Sequence, residues 1–238
     1  MSYWGYGTYV SIGDQMEMAE AYIRKARKKG TPIDPVIADD STRKITSTWW
    51  GDAWCSNLER YSDFANRLPR GRRYVKNGFV LDLQMKKGVI EALVQGKTRK
   101  PYKVVVRIDP LSPQAVARIQ ERCEFGISSL DALVNGQFPE ELQDLFTSKE
   151  GLFPAPREIH FSCSCPDGAV MCKHAAAVMY GAALRLEERP LLLFELRGID
   201  PQSLVEKAIE NRLEQMLKNA DRPSSRILNG DVGDLFGI

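Results

Sequence analysis

The sequence predicts an α+β protein with a small antiparallel β-meander, flanking helices, a strand-turn-helix module and C-terminal helices. Two patterns predict this. Apolar residues recur at helical spacing near both ends of the chain, whereas most of residues 72–108 alternates between apolar and polar positions. With 238 residues, of which 43% are hydrophobic and 27% charged, the chain has the composition of an ordinary globular protein and can bury a sizeable core.

Helices are predicted where the apolar spacing follows a capping residue. The first covers residues 14–30, with Asp14 as its cap and Gly30 at its end. The second begins after Ser47 or Thr48 and places Trp50, Trp54, Leu58 and Tyr61 on one face, which is more typical of a core than of a surface that stacks on bases. Further helices are predicted over 111–123 (Ser112 as cap, Pro113 first in the helix), 127–136, from about His174 to Glu188, and 200–219.

The strands are predicted between 72 and 108. Turn signals at Asn77-Gly78 and Lys87-Gly88 divide this stretch, and the β-branched run "YKVVVRID" closes it. One more short strand, "EIHF", leads into Cys163. The prediction is therefore an antiparallel meander followed, further along the chain, by a separate short strand.

Charge is unevenly distributed along the chain. Residues 67–107, called here the basic segment, hold twelve Lys and Arg against two acids, whereas the whole chain has a net charge of only +2. Such segregation favours an acidic partner, and Tyr74 and Tyr102 are interleaved for stacking on bases. The alternative is a solvated basic face without a partner. The candidate nucleic-acid contacts are Arg67, Arg70, Arg72, Arg73, Lys76, Lys97, Arg99, Lys100 and Lys103.

Three of the five cysteines and one of the two histidines fall within twelve residues, "CSCPDGAVMCKH". Cys163, Cys165, Cys172 and His174 are the ligand set of a structural zinc site, and we expect one zinc ion per chain. The alternative is three buried thiols and a core histidine. His160 is a weaker competitor, because it alternates with Cys163 and Cys165 along the strand.

Two kinds of backbone conformation, a strand and the start of a helix, are needed to bring these four ligands to one ion. Residues i and i+2 of a strand point the same way, which suits Cys163 and Cys165. Residues i and i+2 of a helix point about 200° apart, so Cys172 should precede the helix and His174 should lie in its first turn. The helix N-terminus then favours the thiolates. Cys55 and Cys123 are predicted to be small core residues.

The spacing Cys-x-Cys-x6-Cys-x-His resembles the SWIM zinc finger, here over about residues 156–190. "STWWGDAW" and "YSDFANRLPRGRRYVKNGFVLDL" extend the resemblance to stand-alone bacterial SWIM proteins, which are often encoded with Swi/Snf-type helicase-like ATPases. The resemblance implies nucleic-acid or protein binding and not a reaction, with such an ATPase as partner.

Five segments are expected. They are an N-terminal segment (1–40), a basic α+β domain (41–155), the zinc finger (156–190), C-terminal helices (191–220) and a flexible tail (221–238). In the tail, Leu235, Phe236 and Ile238 beside acidic residues are typical of a short docking peptide, although packing on the core is the alternative. A chain of this design would be an accessory protein that contacts nucleic acid, docks the ATPase, or does both; the alternative is a pure protein–protein adaptor.

Catalysis is not expected. The chain has no Gly-x-x-x-x-Gly-Lys-Ser/Thr loop for ATP and no His-x-Glu with Pro-Cys-x-x-Cys, as a zinc deaminase would have. The N-terminus has no secretory pattern, and no apolar run is long enough for a membrane span, so no membrane partner is expected. An odd number of clustered cysteines favours a reducing compartment, and we expect a cytoplasmic protein.

Overall fold

The computed structural model describes residues 9–39, 41–60, 66–126, 143–148 and 150–220, and it has the predicted α+β architecture. The helices of these residues are α1 (Ile12–Lys28), α2 (Trp49–Glu59), α3 (Leu68–Lys76), α4 (Pro113–Gly126), α5 (Gln143–Thr147), α6 (Lys173–Glu188), α7 (Leu192–Leu196) and α8 (Pro201–Ala220), with a 3-10 turn at Pro156–Glu158. The strands are β1 (Val80–Lys86), β2 (Val89–Val94), β3 (Tyr102–Ile108) and β4 (Ile159–Cys163).

The four strands form one antiparallel sheet in the order β1-β2-β3-β4. The first hairpin closes between Lys86 and Val89 through the two-residue turn Lys87-Gly88, and Gly88 has a φ of 69°, a value that glycine adopts more easily than other residues. β4 pairs with β3 from Val104↔Cys163 to Ile108↔Ile159. The strand that carries the first zinc-ligand candidate is therefore part of the main sheet.

Residues 72–76 are helical in α3, so the prediction that they begin the meander is wrong. Leu68 and Val75 lie seven residues apart and are both buried, which is helical spacing. Asn77 ends this helix and Gly78, with a φ of 69°, follows it. An Asn-Gly pair serves equally as a hairpin turn and as the end of a helix, and here it is the latter.

The helix starts follow the predicted capping chemistry with one correction. Ser11, not Asp14, is the N-cap of α1; the Ser11 hydroxyl accepts from the Asp14 N–H, and the Asp14 carboxylate accepts from the Ser11 N–H. Thr48 caps α2 by accepting from the Gly51 N–H, and Ser112 caps α4 by accepting from the Ala115 N–H, both as predicted.

α6 is the central helix of the molecule. Nearly every side chain from His174 to Leu186 is buried, because the sheet covers one side of α6 and α2 and α3 cover others. A smaller apolar cluster, built on Ala19, Phe79 and Leu81, packs α1 against the start of β1. Successive residues of a strand point to opposite faces, which is why Val80 joins the main core and Leu81 joins α1.

The tryptophans of α2 anchor that helix to α6. The indole N–H of Trp54 donates to the Met179 carbonyl and that of Trp50 to the Leu186 carbonyl, each at 3.0 Å. Trp54 is only 1% exposed. The expectation that this face of α2 belongs to the core is confirmed for Trp54, and Tyr61 lies outside the described residues.

The predicted helix over 127–136 and the tail with Leu235, Phe236 and Ile238 also lie outside the described residues. The division into five segments stays a prediction, and the pairing of β4 with β3 joins the finger to the preceding domain. Across the described part of the chain, no helix combines the length and the apolar character needed to cross a membrane.

Candidate metal centre and the basic surface beside it

The four ligand candidates meet where β4 ends and α6 begins. Cys163 is the last residue of β4, and Cys165 follows after Ser164, whose N–H still donates to the Lys103 carbonyl of β3. Cys172 is the N-cap of α6, with extended backbone angles, and His174 lies in the first turn. These are the positions that the two-backbone argument predicted.

The donor atoms are close enough to share one ion. One ligand atom from each of the four residues lies within 4.8 Å of all the others. The Nδ1 atom of His174 lies 3.9 Å from the Cys163 sulfur and 3.8 Å from the Cys172 sulfur. Zinc–sulfur and zinc–nitrogen bonds around a tetrahedral ion separate the ligand atoms by about 3.6–3.8 Å. The three thiols and the imidazole therefore fit zinc both in chemistry and in spacing.

Local hydrogen bonds favour the thiolate at Cys172. Its pKa is lowered, first by the Cys163 thiol and further by His174 and by the backbone N–H of Ala175, which donates to the sulfur at 3.4 Å. The pKa of Cys163 is raised by the same sulfur–sulfur hydrogen bond, and that of Cys165 mainly by burial. The Cys163 thiol, with a smaller contribution from the first N–H groups of α6, thus favours the metal-binding form of the Cys172 sulfur.

Two tyrosines of the basic segment enclose the His174 ring. Tyr74 of α3 lies edge-on at a centroid distance of 5.3 Å, and Tyr102 of β3 lies at 4.7 Å. Gly96 makes room for Tyr102, since a Cβ atom there would lie 2.2 Å from the Tyr102 ring. The rings that were expected to stack on bases are thus packed on a metal-ligand candidate.

The remaining histidine and one further cysteine lie apart from the cluster. His160 is exposed on the opposite face of β4, where its Nε2 atom lies 3.0 Å from Asp109 Oδ1. Cys55 is 8% exposed in the core, as predicted. The side chain of Cys123 lies outside what the structure describes. Four protein ligands leave no open position for a substrate, which is typical of a structural zinc site.

The nine basic candidates fall into two groups. Three of them are engaged within the molecule: Arg67 with Asp167 at 3.3 Å, Arg72 with Glu59 and the Tyr180 ring, and Lys76 with the Thr42 carbonyl. The other six are exposed, and no described residue forms an ion pair with them. We call these six the basic surface: Arg70, Arg73, Lys97, Arg99, Lys100 and Lys103.

The basic surface comes from two stretches that both reach the zinc-ligand cluster. Arg70 and Arg73 lie one turn apart on α3, so Arg73 is not on a strand as predicted. Lys97, Arg99 and Lys100 lie between β2 and β3. Sequence reasoning missed the junction of these stretches at His174, because Tyr74 is a hundred positions away from it. The one signal in the sequence that is compatible with this junction is the series of small residues in α6, because small residues permit close packing between helices.

A comparison of the sequence with protein families supports a metal centre at this position. Residues 159–180 match the SWIM zinc finger family, and this stretch contains all four ligand candidates. The chain therefore contains a SWIM zinc finger, and this finger implies zinc binding. No solved structure matches the chain.

A relative extends the similarity over most of the chain. Over 193 residues the chain is 34% identical to the uncharacterized protein Rv2102 of Mycobacterium tuberculosis. The aligned stretch covers 80% of this chain and 69% of the relative. The chain belongs to the same family as this mycobacterial protein.

Proposed function

We propose that the protein is a non-catalytic accessory factor that binds the phosphate backbone of nucleic acid through its basic surface, with the zinc finger as the element that holds this surface together. The supporting observation is the group of six exposed cations. They carry no described ion-pair partner, although the rest of the chain outside the basic segment is rich in acids. Basic groups that are left unpaired and exposed around one site are the footprint of a polyanion partner.

The metal centre supports the same proposal through its position. α3 supplies Tyr74, and the stretch between β2 and β3 leads into Tyr102; both rings pack on His174. Zinc would be held by Cys163, Cys165, Cys172 and His174, and when bound it supplies a rigid, fully protein-ligated centre. Through the two rings this centre fixes the spacing between the two basic stretches.

Salt dependence tests the proposal directly. Affinity for a fluorescently labelled duplex is measured between about 50 and 200 mM salt, because each phosphate contact contributes about 0.9 to the slope of log affinity against log salt. We expect Arg99→Gln with Lys100→Gln to weaken binding and to lower the slope by about 1.8 if each residue contacts one phosphate.

A matched variant separates this effect from net charge. Arg24→Gln with Lys87→Gln removes two exposed charges outside the basic surface, and it should leave the slope nearly unchanged. A wild-type protein that does not bind duplex or single strand at low salt would refute the proposal and leave the pure adaptor as the function.

A second proposed activity is docking of a Swi/Snf-type helicase-like ATPase, the partner implied by the SWIM resemblance. One structural observation favours a protein partner. The described part of α8 exposes four large apolar residues on one side of the helix: Ile209, Leu213, Met216 and Leu217. Together with the predicted tail residues Leu235, Phe236 and Ile238, they offer apolar anchors near one end of the chain.

Purification from native cells tests the docking. The full-length chain should recover an ATPase under gentle salt, and Leu213→Gln with Leu217→Gln should reduce that recovery. Ile37→Gln, which changes an exposed apolar residue elsewhere, serves as the control. Removal of residues 221–238 tests the tail separately. If the intact chain recovers no ATPase, the docking proposal fails.

A further inference from the structure

A cavity of about 300 Å³ lies beside the metal centre and is lined by four cations from three parts of the chain. Arg70 and Arg73 come from α3, Lys97 from the stretch between β2 and β3, and Lys173 from the first turn of α6. Among the described residues, none of the four has an ion-pair partner and no carboxylate lines the cavity. Four like charges around one space repel each other unless an anion enters.

Lys173 is held in place by neighbouring groups. The Lys173 ammonium lies 5.7 Å from the centroid of the Tyr74 ring, which also lines the cavity. Lys173 stands between Cys172 and His174 in sequence, so the metal centre fixes its backbone. Arg70 and Arg73 project from the same helix one turn apart and offer two planar guanidinium groups, which suit the oxygens of a phosphate.

Gln15 of α1 gives an independent indication. It lines the same cavity and is only 4% exposed; its Nε2 atom makes no hydrogen bond of normal geometry, although its amide interacts with the neighbouring Tyr74 hydroxyl. A buried amide without an acceptor is unfavourable. A small rotation of this side chain towards an anion in the cavity would supply the missing acceptor.

We propose that this cavity is a phosphate-binding subsite, formed by Arg70, Arg73, Lys97, Lys173 and Gln15, that takes one phosphate group of the bound nucleic acid. This inference rests on the proposed function and deepens it, because it separates a specific phosphate position from the general attraction of the basic surface. The phosphate is either the terminal one of a strand or an internal phosphodiester, and the oxygens that the site recognises are the same.

The test uses the zinc-loaded full-length protein and a single-stranded oligonucleotide of about 12 nucleotides, with and without a 5′-phosphate. The cavity variant is Arg73→Gln with Lys97→Gln, and the matched control is Arg24→Gln with Lys87→Gln, which removes the same charge elsewhere. We expect the cavity variant to lose at least about tenfold more affinity than the control, since hydrogen bonds to charged groups are lost only there.

The outcomes distinguish a terminal phosphate from an internal one. They also distinguish failure of the subsite from failure of the proposed function. A loss confined to the phosphorylated strand assigns the site to a terminal phosphate, and an equal loss for both strands assigns it to an internal one. Equal losses in the cavity and control variants overturn the subsite but leave the proposed function standing.

If the wild type binds neither strand, the proposed function fails, and inorganic phosphate decides about the subsite. Phosphate-dependent shifts of the Arg73 and Lys173 amide resonances would support it, and their absence would overturn it.

Discussion

His174 is the residue at which the metal centre and the basic segment meet. Its Nδ1 atom faces two cysteine sulfurs, and its ring packs between Tyr74 and Tyr102. Its Nε2 atom is buried without a hydrogen-bond partner among the described residues. Nδ1 is therefore the ring atom that could reach an ion shared with the cysteines. The aromatic rings then orient the imidazole in place of the usual hydrogen bond.

Cys55 provides a contrast at the same scale. Burial, with a further contribution from Glu59, raises the pKa of its thiol to about 12. Because the thiolate is the reactive species, we expect Cys55 to resist iodoacetamide in the folded, zinc-loaded protein and to react after unfolding. Peptide mapping of the modified cysteines measures this. Labelling of Cys55 at the rate of a free cysteine in the folded protein would contradict it.

The same shift predicts a pH dependence of stability. The folded-state pKa of Cys55 lies above the ordinary value of 9.0, so the unfolded chain loses this proton first as pH rises. The contribution of Cys55 to the free energy of unfolding is therefore complete only well below pH 9, and it falls by about 1 kcal/mol between pH 9 and pH 10. Denaturant titrations at both pH values should show this extra loss in the wild type but not in Cys55→Ala.

At the scale of elements, α3 and α6 cross at close range. A Cβ atom on Gly71 would lie 2.5 Å from the Ala176 Cβ and 2.7 Å from the Ala176 carbonyl carbon. The small residues of α6 and the glycine of α3 let the two backbones approach. This crossing holds Tyr74 against His174, so it links the helix of the basic surface to the metal centre.

Gly71→Ala should therefore destabilise the protein by about 1–3 kcal/mol, because backbone atoms cannot move aside easily. This loss outweighs the gain of about 0.5–1 kcal/mol that alanine brings to a helix. Gly13→Ala in α1, where the nearest atom would be 3.6 Å away, is the matched control and should be neutral or stabilising. Chemical denaturation measures both, and equal stability of the two variants would contradict the close crossing.

Sequence and structure agree best where the signal is local. The positions of Cys163 at the end of β4 and of Cys172 before α6 follow from ligand spacing and from strand and helix geometry. Residues 72–76 were assigned wrongly because Asn77-Gly78 is compatible with both a hairpin and a helix end. The contacts of Tyr74 and Tyr102 with His174 depend on packing between distant segments, for which a single sequence carries no local signal.

For the whole molecule, the position of the finger predicts how the protein responds to loss of metal. β4 is a strand of the main sheet and α6 is the centre of the core. A metal ion bound by the four ligands would therefore link these two elements of the main core. We expect a chelator to lower the melting temperature of the entire domain and to reduce amide protection in β3, β4 and α6 together. Hydrogen exchange measures this, and a loss confined to residues 164–172 would contradict it.

The central claim is that Cys163, Cys165, Cys172 and His174 hold one zinc ion. Metal analysis of the purified, reduced chain tests it most directly, with Cys172→Ala as the ligand variant and Cys55→Ala as the control. The account predicts one zinc per chain in the wild type and in Cys55→Ala, and nearly none in Cys172→Ala, because removing one thiolate breaks a four-ligand structural site. Much less than one zinc per wild-type chain, or full zinc in Cys172→Ala, would contradict it.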